Sequence, residues 1–369
     1  MKVMFLIPSL ASGGSERQLV VLANGLAARG HAVSVAVFYS GGAMEKDLSG
    51  VRLVPLNKQG RWDLPGFGAR LVSTVRRERP DMVYTFLGSA NIFGCLLKPL
   101  FGGAKVVCSL RASDMDLSRY DSAARVAGWL EVRLSGLADA IIANSRAGRE
   151  HAIRRGMPEG SILVIENGID TARYVPDREA GADLRRSWGV DPGEVLVGLV
   201  ARIDPMKGHE TFIQAAAVVS RREKGVRFVC VGGGESVRAG RLRAMAEGLG
   251  LAGRLTWAGE LDYMPSVYNA LNISCLSSLT EGFPNAVGEA MSAGVPCVAT
   301  DVGDVARIVG PTGIVVPRED AGALAEAMLE MIARVRAGEA GDPRQRIVDN
   351  FPLETMIIKT EQALQSQLP

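Results

Sequence analysis

Short apolar runs alternate with amphipathic stretches along almost the whole chain, and this alternation restricts the fold more than any other feature. Each run is a few residues long, which suits a strand buried on both faces. The stretches between them, such as 15–28 and 69–78, have the apolar spacing of helices. Alternating strands and helices predict a parallel sheet with helices on both faces. The predicted strands are 3–7, 33–38, 82–86, 105–110, 140–143 and 162–165, then 195–200, 227–231, 255–257, 273–276, 296–299 and 313–316.

A Pro-, Gly- and Arg-rich passage over residues 173–193 interrupts this series. The chain has 369 residues, which is more than one compact core commonly holds. We therefore predict two doubly wound, Rossmann-like α/β domains, followed by a final helical segment at 352–367. Because ligands bind beyond the carboxyl ends of parallel strands, the cleft between two such domains is the predicted site.

Composition and residue patterns argue against a membrane-spanning, secreted or disulfide-rich protein. Hydrophobic residues make up 47% and charged residues 22%, as in ordinary globular proteins. No apolar run reaches the roughly 18 residues of a membrane span, and the N-terminus has no signal-peptide pattern. The five cysteines show no C-x-x-C spacing, which favours reduced core thiols over disulfides or a metal site. We expect a cytoplasmic protein, with any membrane contact peripheral and at the inner face of the cell membrane.

The net charge of +2 is unevenly distributed. Residues 1–172 carry 21 Lys+Arg and 15 Asp+Glu (+6), whereas the remaining residues carry 21 and 25 (−4). A basic first half attracts anionic partners at long range, although an asymmetry of this size can also arise by chance. No nucleic acid is expected as a partner.

Gly13 and Gly14 follow the first predicted strand and open a helix. Glycine lets the backbone approach a ligand closely, and the N–H groups at a helix start favour phosphate. Ser15 and Gln18 have the spacing of a capping box. The loop lacks the GxGxxG dinucleotide pattern, and a glycine turn without a ligand explains it equally well.

Two cations, Arg202 and Lys207, lie five residues apart on the loop that follows strand 195–200. Such a pair can clamp a diphosphate, because arginine offers a planar fork and lysine a point charge. The alternative is a pair of solvated surface cations.

Two carboxylates, Glu281 and Glu289, flank a Gly-Phe-Pro turn and the predicted helix 285–293. Glu281 precedes the helix, whereas Glu289 lies about one turn inside it. The free N–H groups of the first turn form an anion site between them. This pattern suits a sugar nucleotide, with the diphosphate at the helix end and a hydroxyl-bearing group on either side. A surface glutamate and an acid favoured by the helix dipole would give the same spacing.

The segment Glu281-Gly-Phe-Pro-Asn-x3-Glu289-Ala-Met-x-x-Gly-x-Pro-x-Val resembles the Glu-x7-Glu signature of family 4 retaining glycosyltransferases, which have the GT-B fold. The resemblance extends over essentially the whole chain. Its other motifs are Gly13-Gly-x-Glu16-Arg-Gln18, Asn144-Ser145, Asn167-Gly-Ile-Asp170, Arg202-x4-Lys207-Gly208, Val231-Gly-Gly-Gly234 and Asp301-Val-Gly303.

The resemblance implies roles for the charged residues. Glu289 would hold the ribose hydroxyls of the nucleotide, and Glu281 a hydroxyl of the donor sugar. Arg202 and Lys207 would neutralise the diphosphate leaving group.

It also implies contacts through the backbone. The further donor-binding residues would be Phe283, Asn285 and Ala286 for sugar and phosphate, Gly259 and Leu261 for the base, and Gly13 and Gly14 from the first domain. The family's last helix crosses back, so the first domain would comprise residues 1–172 plus 352–369 and the second residues 173–351.

The chemistry implied is metal-independent and needs no cofactor, since the nucleotide-sugar is the substrate. Positive charge at the helix end and on the two cations would stabilise the departing diphosphate, which is usually the largest catalytic contribution. The two glutamates are interpreted as hydroxyl anchors, in contrast to the acid and nucleophile pair of glycosidases. The family's front-face mechanism is expected, in which a phosphate oxygen takes the proton of the acceptor.

One loop departs from the family pattern. Many members carry a histidine after the fourth strand of the first domain, where this chain has Ser-Leu-Arg111-Ala-Ser-Asp114. Either Arg111 or Asp114 is therefore a candidate contact for the donor sugar or the acceptor. His31, His151 and His209 lie elsewhere and are interpreted as structural.

The basic stretch 70–79 is amphipathic and carries Arg70, Arg76, Arg77 and Arg79. Such a helix could lie on anionic lipid, or it could pack on its sheet with the charges in water. Packing on the sheet is the more common arrangement and is the one expected here, while the often lipid-linked acceptors of the family add a little weight to the lipid alternative.

The sequence thus predicts a hexosyltransferase that moves a sugar, with retention, from a nucleoside-diphosphate sugar such as a UDP-sugar to a glycan or lipid-linked acceptor in bacterial polysaccharide or glycolipid synthesis. Alternatives with the same fold are a sugar phosphorylase, a nucleotide-sugar epimerase or a non-catalytic sugar-nucleotide-binding protein. The sequence leaves the sugar, base, acceptor, linkage and oligomeric state open.

Overall fold

A computed structural model describes residues 1–111, 122–177 and 179–368. The chain divides into two compact units, Met1–Gly168 with Leu353–Pro369, and Ile169–Pro352. The sequence analysis set these divisions at 172/173 and 351/352.

The first unit is built on a parallel sheet. Within the described residues its strand order is β3-β2-β1-β4-β5-β6-β7. The strands are β1 (Lys2–Ile7), β2 (Ala32–Val37), β3 (Arg52–Pro55), β4 (Met82–Thr85), β5 (Lys105–Leu110), β6 (Ala140–Ala143) and β7 (Ile162–Val164). The helices are α1 (Gly14–Ala28), α2 (Pro65–Glu78), α3 (Gly88–Leu97), α4 (Ser122–Leu134) and α5 (Arg146–Arg154).

The second unit repeats this plan with the order β10-β9-β8-β11-β12-β13. Its strands are β8 (Val195–Val200), β9 (Val226–Val231), β10 (Leu255–Gly259), β11 (Ile273–Leu276), β12 (Cys297–Thr300) and β13 (Ile314–Val316). Its helices are α6 (Ala182–Ser187), α7 (His209–Arg222), α8 (Ser236–Gly248), α9 (Met264–Ala270), α10 (Asn285–Ser292), α11 (Val305–Val309), α12 (Ala321–Ala337) and α13 (Pro343–Asn350).

The last helix, α14 (Leu353–Gln365), belongs to the first unit, where it packs on α1. Its side chain Ile357 fills the space above Gly25 of α1, where an added Cβ would lie 2.4 Å from the Ile357 Cδ1. The chain therefore completes the first unit only after the second unit has ended.

Each sheet is covered on both faces, because apolar side chains alternate along strands that are almost wholly buried. In β1, for example, Phe5 and Ile7 belong to one core cluster, whereas Met4 and Leu6 belong to the other. The second unit has two such clusters as well. The predicted pair of doubly wound α/β units is confirmed.

Candidate functional site

Parallel strands end at one edge of their sheet, and in the second unit that edge collects most of the predicted site residues. Strands β8 and β11 are neighbours, and from them the strand order runs in opposite directions. Ligands of open α/β sheets bind at such a reversal of strand order. The loop with Lys207 follows β8, and the loop with Glu281 follows β11.

Lys207 and Glu281 form an ion pair at this edge. The Nζ of Lys207 lies 2.7 Å from Oε1 of Glu281, and the hydroxyl of Ser278 donates to the same oxygen at 2.7 Å. The side chains are 26% and 12% exposed, respectively. The pair is thus largely shielded from water, which strengthens its attraction, yet its cation remains accessible to a ligand.

The backbone holds the two loops together. The N–H of Leu279 donates to the carbonyl of Met206 at 2.8 Å, and the hydroxyl of Ser277 donates to that of Lys207 at 3.0 Å. Gly208 has a φ of 61°, and a Cβ there would lie 2.0 Å from the Ser277 carbonyl oxygen. Only glycine allows this approach, so Gly208 fixes the position of Lys207.

A third loop, after β12, supports Glu281 from the other side. The N–H of Asp304 donates to the carbonyl of Gly282 at 3.1 Å. Gly303 has a φ of 58°, and a Cβ there would lie 2.3 Å from the carbonyl oxygen of Glu281. The segment that carries Glu281 is therefore packed backbone to backbone.

Glu289 lies on the second turn of α10 and is only 6% exposed. Its Oε2 accepts a hydrogen bond of 2.8 Å from the hydroxyl of Tyr268, which is fully buried on α9. A buried carboxylate needs such donors, because its charge is otherwise poorly solvated. Tyr268 thus holds Glu289 in one orientation.

The start of α10 presents the predicted backbone contacts. Pro284 is its N-cap, and Asn285 and Ala286 are half-buried residues of its first turn, where the helix itself supplies no carbonyl to their N–H groups. Phe283 is buried, and its ring packs edge-on against that of Phe351 with centroids 5.5 Å apart. Its side chain therefore anchors the turn, which leaves only its backbone for ligand contacts.

The other predicted residues of this edge extend outward. Arg202 is exposed and forms no ion pair within the described residues. Gly259 ends β10, is exposed and has a φ of 72°, while Leu261 is half-buried against the core. The structure thus brings Lys207 and Glu281 into contact, whereas it places Arg202 at the surface.

His209, the first residue of α7, is fully buried. Neither of its ring nitrogens has a hydrogen-bond partner among the described residues. Burial, assisted by the charge of Arg238, lowers its pKa to about 4, so the imidazole is neutral at pH 7.

In the first unit, the capping-box interpretation is wrong. Helix α1 begins at Gly14 with Gly13 as its N-cap, so Ser15 lies inside the helix and is not its N-cap residue. The Nε2 of Gln18 instead donates to the carbonyl of Gly168 at 3.1 Å. Because Gln18 is drawn toward the end of the unit, it cannot reach back to the helix start.

Arg111 follows β5 at the carboxyl edge of the first sheet. Its Nη1 donates to Oδ1 of Asn167 at 3.0 Å and its Nη2 to the hydroxyl of Tyr84 at 3.3 Å. Its guanidinium also lies over the ring of Phe86, with 4.1 Å between the Cζ and the ring centroid. Burial lowers its pKa. Asp114, the other candidate of this loop, lies outside the described residues.

Two residues of this site, Ser278 and Tyr268, were not predicted from the sequence. Ser278 stands three residues before Glu281 in a run of small polar residues, so nothing distinguished it. Tyr268 has the spacing of a core residue, and nothing in the sequence indicates that its hydroxyl donates to Glu289.

The basic stretch 70–79 lies on α2, which packs on its sheet. Leu71 and Val75 are buried in the core. Arg70 donates to the carbonyl of Leu56 at 2.9 Å, and Arg76 donates to that of Leu100 at 2.8 Å. Arg77 lies 3.5 Å from the carboxylate of Glu78, so three of the four arginines have side-chain contacts within the unit, as the packing alternative requires.

Among the helices that the structure describes, none is both long and apolar enough to cross a bilayer. Over the same residues, no three His, Cys, Asp or Glu side chains come together in a cluster that could hold a metal ion.

Two family profiles match the chain. The profile described as Glycosyltransferase Family 4 matches residues 12–173, and that described as Glycosyl transferases group 1 matches residues 194–334. Together they cover both units, including the loops of Lys207 and Glu281.

Two curated relatives have assigned activities. The D-inositol 3-phosphate glycosyltransferase of Rhodococcus opacus is 31% identical over 329 residues, which are 81% of this chain and 72% of that protein. The UDP-Gal:alpha-D-GlcNAc-diphosphoundecaprenol alpha-1,3-galactosyltransferase of Escherichia coli is 26% identical over 63% of this chain and 60% of its own length. The chain spans only 53% of the Rhodococcus jostii protein that shares the first name.

The crystal structure of HepE from Anabaena in complex with UDP-glucose is similar over both units. It has a TM-score of 0.86 and 25% sequence identity, with 99% of this chain and 100% of that chain covered.

Proposed function

The chain is a family 4 glycosyltransferase of the GT-B fold, and from this membership we propose that it transfers a hexose, with retention, from a UDP-sugar to a phosphate-bearing glycan or lipid-linked acceptor. The observation that carries the proposal is the cation of Lys207, which is held by Glu281 in the loop that leads from β11 to α10.

The positive charge at this site suits a departing diphosphate. The N-terminus of α10 contributes its partial charge and its N–H groups, and Lys207 adds a full charge in a shielded position. Arg202, exposed on the same loop, is the proposed second cation for the phosphates. Such preorganised charge acts on the transition state, where negative charge develops on the leaving group.

The two carboxylates act as hydroxyl acceptors. Glu281 is held in place by Lys207 and Ser278, and we propose that its carboxylate also accepts from a hydroxyl of the donor sugar. Glu289 is oriented by the hydroxyl of Tyr268, and its carboxylate is the proposed anchor of the ribose hydroxyls. Neither carboxylate needs to act as a nucleophile. In the front-face mechanism that we propose, the acceptor attacks on the leaving group's side and a phosphate oxygen takes its proton.

Two relatives support a UDP donor. HepE, with 25% identity to this chain, binds UDP-glucose, and the name of the Escherichia coli relative specifies UDP-Gal. The backbone after β10, at Gly259 and Leu261, is the proposed place of the base, and Gly13 and Gly14 of the first unit are proposed further contacts of the donor.

The names of both curated relatives also specify an acceptor with phosphate, namely inositol 3-phosphate and a diphosphoundecaprenol-linked sugar. We therefore propose a phosphate-bearing acceptor for this chain. If that acceptor is lipid-linked, the enzyme must contact the inner face of the membrane while it acts.

The proposal is tested by incubating the protein with radiolabelled UDP-glucose, UDP-galactose or UDP-N-acetylglucosamine and a bacterial lipid extract. Incorporation of label, with an α-linkage shown by proton NMR, is the expected result. Transfer from GDP-mannose alone would overturn the UDP assignment, and a β-linkage would overturn retention. Conversion of the donor without acceptor would favour an epimerase, and release of a sugar phosphate from glycan with orthophosphate would favour a phosphorylase.

A further inference from the structure

The guanidinium of Arg111 lies at the carboxyl edge of the first sheet, and the two groups that accept hydrogen bonds from it are neutral. Its hydrogen-bond acceptors are an amide oxygen of Asn167 and the hydroxyl of Tyr84, and its flat face covers Phe86. In the part of the chain that the structure describes, no carboxylate lies within ion-pair distance of it.

This arrangement is costly to the free protein. A charge removed from water loses hydration energy, and neutral acceptors replace only part of it. The lowered pKa of Arg111 has the same cause, since burial disfavours the charged form. A side chain that served only to fill space would be better as a methionine or leucine. The cation is therefore suited to a ligand that brings the missing negative charge.

Several buried polar groups at the carboxyl ends of β5 and β6 have no hydrogen-bond partner among the described residues. The Nε of Arg111 is buried and has no acceptor among the described residues, and the hydroxyl of Ser109 is in the same state. Ser109 lies near the end of β5, and Arg111 is the first residue after that strand. Asn144, at the end of the neighbouring strand β6, has a buried amide oxygen without a partner in the described chain. An oxyanion would satisfy the first two groups.

We propose that Arg111 binds the phosphate group of the acceptor, with the hydroxyl of Ser109 as a second donor. Its planar fork matches the oxygens of a phosphate monoester or diester. The donor's diphosphate has its own cations, Lys207 and Arg202, in the second unit. This inference rests on the proposed function and deepens it, because it assigns the residue that recognises an anionic acceptor.

An internal counter-charge is the rival explanation. Asp114 and Asp116 follow Arg111 in the sequence and lie outside the described residues. If either carboxylate neutralises Arg111, added phosphate finds no unpaired cation there, and the two explanations predict opposite results for the same titration.

The test measures thermal denaturation of the full chain with inorganic phosphate, in the presence of saturating UDP. UDP occupies the phosphate-binding part of the donor site, so a further rise in melting temperature reports a second anion site. We expect this rise in the wild type and in the control Arg133→Met, which removes an exposed arginine of α4. We expect no rise in Arg111→Met. A wild type that does not respond, or an equal response of Arg111→Met, would overturn the proposal.

Asn167→Asp provides a second variant that keeps the arginine. It places a carboxylate on an atom that already lies 3.0 Å from Nη1 of Arg111. We expect this variant to melt at or above the wild-type temperature and to lose the phosphate response, because its cation is neutralised internally. Retention of the full response would contradict the assignment.

The source of the phosphate is separated by two further arms. Glycerol 3-phosphate in solution and phosphatidylglycerol vesicles are each added to the UDP-bound wild type and to Arg111→Met. If the wild type responds to glycerol 3-phosphate and Arg111→Met does not, the site binds a soluble phosphate; the same difference with vesicles indicates a lipid phosphate. If the two proteins respond equally to both ligands, the proposal is overturned. A UDP titration of the same samples tests the donor site separately. Absence of UDP binding to the wild type would refute the proposed function, whereas the comparison of wild type with Arg111→Met tests this inference.

Discussion

Replacement of Lys207 by methionine removes the cation at the start of α10 while keeping a side chain of similar length. In the wild type its Nζ lies 2.7 Å from Oε1 of Glu281, and the two side chains are 26% and 12% exposed. After the change, Glu281 retains the hydrogen bond from Ser278 at 2.7 Å. The variant therefore loses one charged hydrogen bond in a partly shielded site.

The expected cost to stability is small. A hydrogen bond to a charged group contributes about 1.5–3 kcal/mol, and partial exposure of Lys207 reduces this to about 1–2 kcal/mol. The loss is minor against the roughly 5–15 kcal/mol that keeps a domain folded. The protein should remain folded, with an unchanged far-UV circular dichroism spectrum.

The expected cost to catalysis is larger. Removal of one preorganised group that stabilises transition-state charge costs about 100- to 1,000-fold in kcat, or about 2.7–4 kcal/mol. Since the charge on the diphosphate grows as the sugar bond breaks, kcat should fall more than the KM for the donor rises. Steady-state kinetics with labelled UDP-sugar measure both parameters.

Two further variants sharpen this test. Lys224→Met removes an exposed lysine of the same unit and should leave both parameters unchanged. Lys207→Arg keeps the charge but not its point-like shape, and should recover part of the rate. A kcat/KM for Lys207→Met within about threefold of the wild type would refute the role of this cation, given the cost expected above.

Two predictions concern the stability of the second unit. The pKa of His209 falls from 6.5 in the unfolded chain to about 4 when folded, so the unfolded state binds more protons between these values. The free energy of unfolding should therefore drop by about 3 kcal/mol as the pH falls from 6.5 toward 4, compared with the variant His209→Leu. Urea denaturation of both proteins across this pH range measures the difference. Parallel pH profiles of the two proteins would contradict the prediction. Gly303→Ala forces a Cβ to 2.3 Å from the Glu281 carbonyl oxygen and should cost more than about 2 kcal/mol, while Gly253→Ala, at a φ of 69° with open space, should cost about 1 kcal/mol. Equal melting temperatures of these two variants would show that the approach is not tight.

The strands were largely predictable, because a strand buried on both faces is a continuous apolar run. Strands β5, β6, β8 and β11 begin and end at the predicted residues. Strand β3 was missed, since Arg52–Pro55 is short, lies at the edge of the sheet and buries only Val54. An edge strand with one buried residue has no periodicity to detect.

The candidate site was predictable only as a set of residue types. The sequence suggested Lys207 and Glu281 separately, but they are 74 residues apart, and only the fold shows that they form an ion pair. The stacking of Arg111 on Phe86 was not predictable either, because it depends on the pairing of β4 with β5. Contacts between distant loops follow from strand order, which local patterns do not specify.

The central claim is that the edge of the second sheet beside α10 binds the nucleoside diphosphate, with Glu289 on the ribose. Calorimetric titration of UDP into the wild type and into Glu289→Gln tests it most directly. We predict one UDP per wild-type chain and binding weakened by about 10- to 150-fold in the variant, as expected for loss of a charged hydrogen bond of about 1.5–3 kcal/mol. No heat of binding in the wild type, or equal affinities of the two proteins, would contradict the account.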